Sequence, residues 1–193
     1  MAASILSSLS SAPSFTFPFP PNYSFPPFFT LQPNTQTRSA QLSKWSSLVQ
    51  SYCRHHRIFT ILLPDALEST LFSNAKLRRR LAAQDVRAVL DYMASNEGEN
   101  RAEWMGPATE KASAWIWWRK PEEWAGLLEG WVEGTGQKAT VLTLYELVEG
   151  EATEGQEFHA MDMEVLRKSL GTLVKKGKAQ VFGGEGQEGV KFF

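Results

Sequence analysis

Cys53, His55, His56 and His159 are the side chains best suited to nucleophilic or metal chemistry, and their spacing serves neither. One thiol and three imidazoles provide no paired Cys or His ligands at zinc-site separations. Cys53 and His56 share a helical turn, but Cys53 falls on its apolar side, where a buried thiol is structural. A single cysteine allows no disulfide within the chain and suits a reducing compartment. Gly184-Glu-Gly-Gln-Glu-Gly189 matches the dinucleotide pattern GxGxxG in form only. That pattern works where it opens a helix whose N-terminus faces pyrophosphate, whereas Val190 to Phe193 reads as a strand and two glutamates sit inside the loop. The acidic run Glu149–Glu157 reads as a solvated loop. These residues imply no enzyme, no cofactor, no metal and no small-molecule substrate.

The chemistry that remains is recognition. Seven of ten prolines and six of twelve phenylalanines fall between Pro13 and Pro33. Within that stretch, Pro-Pro-x-aromatic occurs twice, as Pro20-Pro21-Asn22-Tyr23 and Pro26-Pro27-Phe28-Phe29. Proline-rich chain favours an extended polyproline conformation that needs little further ordering to be bound. Phe28 and Phe29 are too apolar to stand in water, since full burial of each is worth about 1.5–3 kcal/mol. Either a partner's groove or this chain's own surface covers them. Residues 1–37 carry no Asp, Glu, Lys, Arg or His and read as a disordered tail without helix. The first fourteen are Ser/Ala-rich and acid-free like a plastid transit peptide, yet no arginine precedes Arg38, so they read as a plain extension.

From Arg38 the pattern turns helical, with Leu42, Trp45, Leu48, Val49 and Tyr52 on one face. Ile58 to Leu63 reads as a short strand that Pro64 stops. A short helix is expected over Asn74–Leu81 and another over Gln84–Asn96, with Val86, Val89, Leu90 and Met93 as its buried stripe and Gly98 as a left-handed terminator. Arg101–Trp104 and Ala114–Trp118 form a hairpin. Pro121 then starts the same order again: a helix carrying Trp124, Leu127, Leu128, Trp131 and Val132, a strand over Ala139–Leu142, and a helix opened by the Thr143–Glu146 capping box. Asp162 caps a helix with Val165, Leu166, Leu170, Leu173 and Val174, which Gly177 ends. A last hairpin spans Lys178–Phe182 and Gly189–Phe193.

Trp45 to Trp124 and Gly98 to Gly177 repeat at one spacing, so the chain reads as an α+β protein built from two tandem winged-helix domains, 38–120 and 121–193, behind the tail 1–37. The junction around Trp115–Trp124 has no flexible spacer, so the two units are expected to pack rigidly. The longest apolar runs fall far short of the roughly 20 residues that span a bilayer. Charge is unevenly divided: residues 38–120 hold 13 basic and 8 acidic groups, and 121–193 hold 7 and 13. Winged helices often read DNA, and a DNA-binding transcriptional regulator is the alternative function. Asp162 and Glu164 at the start of the second recognition helix, with Glu185 and Glu188 in its wing, repel phosphate, so no nucleic acid is expected. The basic run Arg78-Arg-Arg80 reads as a solvated helix end.

FPPFFTLQPN at 25–34, LFSN at 71–74, RAEW at 101–104, WRKPEEWAGLL at 118–128, TLYEL at 143–147 and GVKFF at 189–193 resemble the vacuolar protein-sorting-associated protein 25 family, the small subunit of ESCRT-II. The resemblance runs from about Tyr23 to the C-terminus. It implies a non-catalytic adaptor, two copies of which join two larger winged-helix subunits in a Y-shaped assembly. It assigns docking on those larger ESCRT-II subunits to Pro26, Pro27, Phe28 and Phe29, and to Pro20, Pro21 and Tyr23 of the first motif. Alanine at both Phe28 and Phe29 is expected to abolish docking while the monomer stays folded. The second winged helix would recruit and activate the first ESCRT-III subunit through Val141, Leu142 and Thr143, for sorting of ubiquitinated cargo into multivesicular bodies. A cytoplasmic protein follows, peripheral on endosomal membranes through the complex, with membrane association indirect. The acidic second unit suits a basic partner helix.

Overall fold

The computed structural model describes residues 16–107, 109–184 and 186–193, so residues 1–15, the extension and targeting look-alike included, lie outside the description, as does Glu185 of the glycine-rich loop. Helix α1 spans Thr35–His56 and starts where Asn34 Oδ1 accepts the Thr37 N–H at 3.0 Å. It begins three residues before the first charge, because the cap, and not the onset of charge, sets the start. Trp45, Val49 and Cys53 on its inner face are fully buried, and Arg57 closes it in the left-handed region.

Strand β1 (Thr60–Leu62) leads directly into helix α2 (Leu63–Glu68). Pro64 therefore opens a helix as well as ending a strand, since a proline in the first turn loses no intrahelical bond. The helix expected over Asn74–Leu81 is instead a small antiparallel hairpin, β2 (Ser73–Asn74) with β3 (Arg79–Arg80). Arg78 sits at φ 51°, a left-handed position that a helix excludes, and Asn74 Oδ1, which takes the Leu77 N–H at 3.1 Å, closes a turn there instead. Helix α3 (Ala83–Ala94) buries Val86, Val89, Leu90 and Met93 completely. Gly98 serves close approach and not a left-handed turn. A Cβ there would meet Tyr92 O at 2.0 Å, while Glu99 and Asn100 carry the positive φ angles. Strands β4 (Ala102–Trp104) and β5 (Ser113–Ile116) pair, and β5 lies between β1 and β4.

The second half repeats this order. Helix α4 (Pro121–Gly134) starts with Glu123 accepting the Lys120 N–H at 2.7 Å. Strand β6 (Val141–Thr143) begins two residues later than expected, because Ala139 adopts φ 63°. Helix α5 (Leu144–Glu149) follows the Thr143 capping box, and helix α6 (Met163–Lys175) follows Asp162, whose carboxylate takes the N–H groups of Glu164 and Val165. Val174, counted in the buried stripe of α6, is exposed. Strands β7 (Ala179–Phe182) and β8 (Gly189–Phe192) complete a sheet ordered β6-β8-β7, the counterpart of β1-β5-β4.

The halves meet through Trp118, whose ring stands edge-on to Trp124 at 5.0 Å and whose Nε1–H bonds Ile58 O at 3.0 Å. Glu157 of the second half takes Arg119 Nε at 2.9 Å and pairs with Arg54, and Arg57 donates to the carbonyls of Glu157 and His159. Lys168 joins Glu103 at 2.7 Å.

Candidate interaction surfaces

Residues 16–34 hold a defined conformation against the first half of the chain. The expectation of a disordered, non-helical tail is thereby corrected for residues 16–37. Pro21–Ser24 and Pro26–Phe29 form consecutive 3-10 turns, each with proline in its first positions, where the missing N–H costs no bond. The cover over the rings is this chain's own surface. Tyr23, Phe28 and Phe29 are all buried. Phe28 stacks flat on Trp45, centroids 4.3 Å apart at 8°, and Phe29 stands edge-on to Trp45 at 5.6 Å and to Tyr23 at 5.2 Å. Phe19 stacks on the outer side of Tyr23 at 3.9 Å.

Polar groups of α1 complete the seat. Trp45 Nε1–H donates to Phe28 O at 3.1 Å, and Gln41 Nε2 donates toward the carbonyls of Phe28 and Thr30 at 2.9 and 3.0 Å. Gln41 Oε1 accepts the Gln32 N–H at 3.0 Å, so one buried amide fixes the C-terminal end of the second turn and the chain that leaves it. The Tyr23 hydroxyl reaches the carbonyls of Thr70 and Ser73, and Asn74 Nδ2 donates to Tyr23 O at 2.9 Å. Burial first, and the neighbouring Tyr52 second, push the Tyr23 phenol up to about 12.

The assigned docking residues therefore divide into two sets. Tyr23, Phe28 and Phe29 face inward, whereas Pro21, Pro26 and Pro27 are exposed and Pro20 is half-buried. Phe25, between the two turns, is 60% exposed, and with Asn22, Pro27, Gln32, Ala40 and Lys44 it borders a shallow groove along α1.

The second candidate surface lies on the other half. Val141 and Thr143 of β6 are exposed and Leu142 is half-buried, because Leu142 pairs with fully buried Val190 on the inner face and its neighbours point outward. Strand β6 bonds β8 on one side and is an edge of its sheet. On the outer face Val141 is opposite Lys191 and Thr143 opposite Gly189, over which the Phe182 ring lies. Thr143 also belongs to the fold. Its Oγ1 accepts the Glu146 N–H at 3.1 Å, and its N–H and hydroxyl hold the Glu146 carboxyl below the usual carboxylate range.

The comparisons with known proteins give these surfaces a context. Residues 22–162 match the family described as ESCRT-II complex subunit. The chain is 44% identical to vacuolar protein-sorting-associated protein 25 of Xenopus laevis over 177 residues, covering 92% of this chain and 99% of that one. It belongs to that family of ESCRT-II subunits. The human relative is 43% identical with 92% and 98% coverage, and that of Dictyostelium discoideum is 37% identical with 92% and 96% coverage. Among solved structures, subunit VPS25 of the endosomal trafficking complex ESCRT-II superposes with a TM-score of 0.80 at 28% identity, covering 90% of this chain and 98% of that one. A chain of the ESCRT-II complex crystallised as VPS22/VPS25/VPS36 gives 0.76 at 29% identity, with the same coverage.

Sequence reasoning missed Gln41 and Trp45 as the polar seat of the two Pro-Pro turns, and Phe25 as the exposed ring between them. The apolar spacing puts Trp45 on the buried face of α1, but no periodicity reveals which carbonyl an indole serves. Phe25 stands outside both Pro-Pro-x-aromatic repeats, and its exposure follows only from how the two turns meet.

Proposed function

We propose that this chain is a non-catalytic adaptor of ESCRT-II, built of two tandem winged-helix units over 38–120 and 121–193. It docks on two larger subunits through the N-terminal segment and recruits the first ESCRT-III subunit through its second unit. The observation that carries the docking reading is the two-sidedness of the segment. Buried Tyr23, Phe28 and Phe29 hold Phe25, Pro26 and Pro27 out in solvent, a pre-formed apolar surface that the monomer does not cover. Family membership supplies the partner class, since the related crystallised assembly contains two further subunits. On the second unit, Val141 on an edge strand, with exposed Tyr145 and Phe182, supports recruitment by the outer face of β6. Duplex DNA reading finds no comparable support. Arg167 of α6 is held by Glu164 and Glu188, and Glu188 takes its Nε at 3.0 Å.

The test is co-purification with the larger subunits. Phe25→Ala with Pro26→Ala and Pro27→Ala is expected to lose them while the isolated chain keeps its thermal midpoint; unchanged co-purification overturns the docking role. Val141→Asp, exposed and opposite Lys191, is expected to spare the complex and weaken capture of the ESCRT-III subunit. Equal capture by wild type and variant rejects the β6 assignment.

A further inference from the structure

The basic run that sequence reasoning placed at a solvated helix end occupies a hairpin beside the docking segment. Lys76, Arg78, Arg79 and Arg80 lie within five residues on β2–β3 and the turn between them, and all four are exposed. Arg80 is engaged by Glu68 through two bonds of 3.0 and 3.1 Å. Lys76, Arg78 and Arg79 form no ion pair among the described residues. The hairpin is also firmly held. Leu77 packs against the core, Leu81 is fully buried, and the Leu81 N–H bonds Phe72 O at 2.9 Å.

The hairpin is tied to the Pro-Pro turns by a reciprocal pair of side chains. Asn74 reaches from β2 to Tyr23 O, and the Tyr23 hydroxyl reaches back to Thr70 and Ser73, while β3 packs against Pro26–Phe29. Three unpaired cations thus stand at a fixed offset from an exposed apolar surface.

We propose that Lys76, Arg78 and Arg79 form the charged flank of the docking surface and meet an acidic patch on the folded polypeptide that receives Pro26 and Pro27. This rests on the docking reading above. The fixed offset favours a folded partner, whose carboxylates also keep fixed positions; a fluid anionic bilayer gains nothing from it. Such a flank acts chiefly on the encounter: opposite charge at the rim raises the association rate and leaves dissociation to the apolar contacts.

The experiment measures association of the full chain with the purified pair of larger ESCRT-II subunits at ionic strengths of about 0.05 and about 0.5 M, where screening lengths differ about threefold. For Lys76→Glu with Arg78→Glu and Arg79→Glu, the association rate is expected to fall about tenfold or more at low salt and to converge on wild type at high salt, with dissociation changed less than about twofold. The charge-conserving variant Lys76→Arg with Arg79→Lys is expected to keep the wild-type rate, which separates charge from folding. Equal rates and equal salt dependence for wild type and the glutamate variant overturn the proposal. Loss of co-sedimentation with phosphatidylserine vesicles at an unchanged association rate also overturns it, by assigning the cations to lipid. Failure of the wild type itself to associate refutes the docking reading, and the flank with it.

Discussion

Phe28→Ala tests whether the aromatic segment belongs to this chain's own core. Phe28 is 5% exposed, and its ring lies flat on fully buried Trp45 at 4.3 Å. Truncating a buried phenylalanine costs about 3–5 kcal/mol, of which an aromatic pair of this geometry contributes about 0.5–1.5. The bonds from Trp45 and Gln41 go to the Phe28 carbonyl, which alanine retains, so the segment stays attached and the loss falls at the lower end, about 3 kcal/mol. In a chain of 193 residues each kcal/mol moves the thermal midpoint by about 2–4 °C, so the expected fall is about 6–12 °C. Circular dichroism melts of the isolated chain, with urea midpoints alongside, measure it. A midpoint within about 2 °C of wild type would refute the reasoning, since a ring that contributes under 1 kcal/mol is not part of the core. The double variant with Phe29→Ala will not add simply, because the two rings touch edge-on. It is expected to perturb folding along with the proposed docking, contrary to the expectation that the monomer would be indifferent to it.

Thr143→Val removes the hydroxyl that caps α5 and is expected to lower stability by about 0.5–2 kcal/mol, read by urea denaturation; a neutral result would mean the capping box contributes nothing. Glu157 has its carboxyl held below the ordinary value of 4.5, first by its bond from Arg119 and then by the charges of Arg119 and Arg54, against an opposing contribution from burial. A depressed folded-state value stabilises above the unfolded value and is lost as pH falls through the folded one. Glu157→Gln is therefore expected to lower the melting midpoint at pH 7 by an amount corresponding to about 1 kcal/mol or less, with the difference from wild type closing on acidification below 4.5. A difference that persists or widens in acid would contradict the pairing. Cys53 is buried and its thiol is pushed up to about 12 by burial, so a thiol reagent at neutral pH should label it only after denaturation. Rapid labelling of the native chain would show that α1 opens.

Much of the fold is legible from local rules. The inner faces of α3 and α4 follow from a 3.6-residue apolar spacing, and the starts of α5 and α6 from Thr143 and Asp162, because a cap and a stripe are properties of a few neighbouring residues. The misplaced elements are those decided at a distance. The 73–80 hairpin depends on Asn74 bonding a carbonyl 51 residues away. The role of Gly98 depends on how closely the chain returns to Tyr92. The docking segment was legible as chemistry, since paired prolines beside phenylalanines need a cover, but not as geometry. Whether Trp45 or a foreign groove provides that cover turns on Gln41 and Trp45 meeting the backbone of residues 27–30, and no spacing encodes that meeting.

That geometry bears on the proposed docking of the segment. A disordered Pro-rich tail would meet the full ordering cost at the moment of docking, which lowers affinity for a given area. Here the 3-10 turns are already fixed by Gln41, Trp45, Tyr23 and Asn74, so folding of the first unit has met that cost and the exposed side is presented in its final shape. The same coupling would make the proposed docking sensitive to substitutions that never touch the partner. Gln41 lies on α1, yet it holds the C-terminal end of the turn that carries Pro26 and Pro27. Loosening Gln41 should slow docking by the fraction of time the turn spends undone, even though the exposed face keeps every one of its atoms.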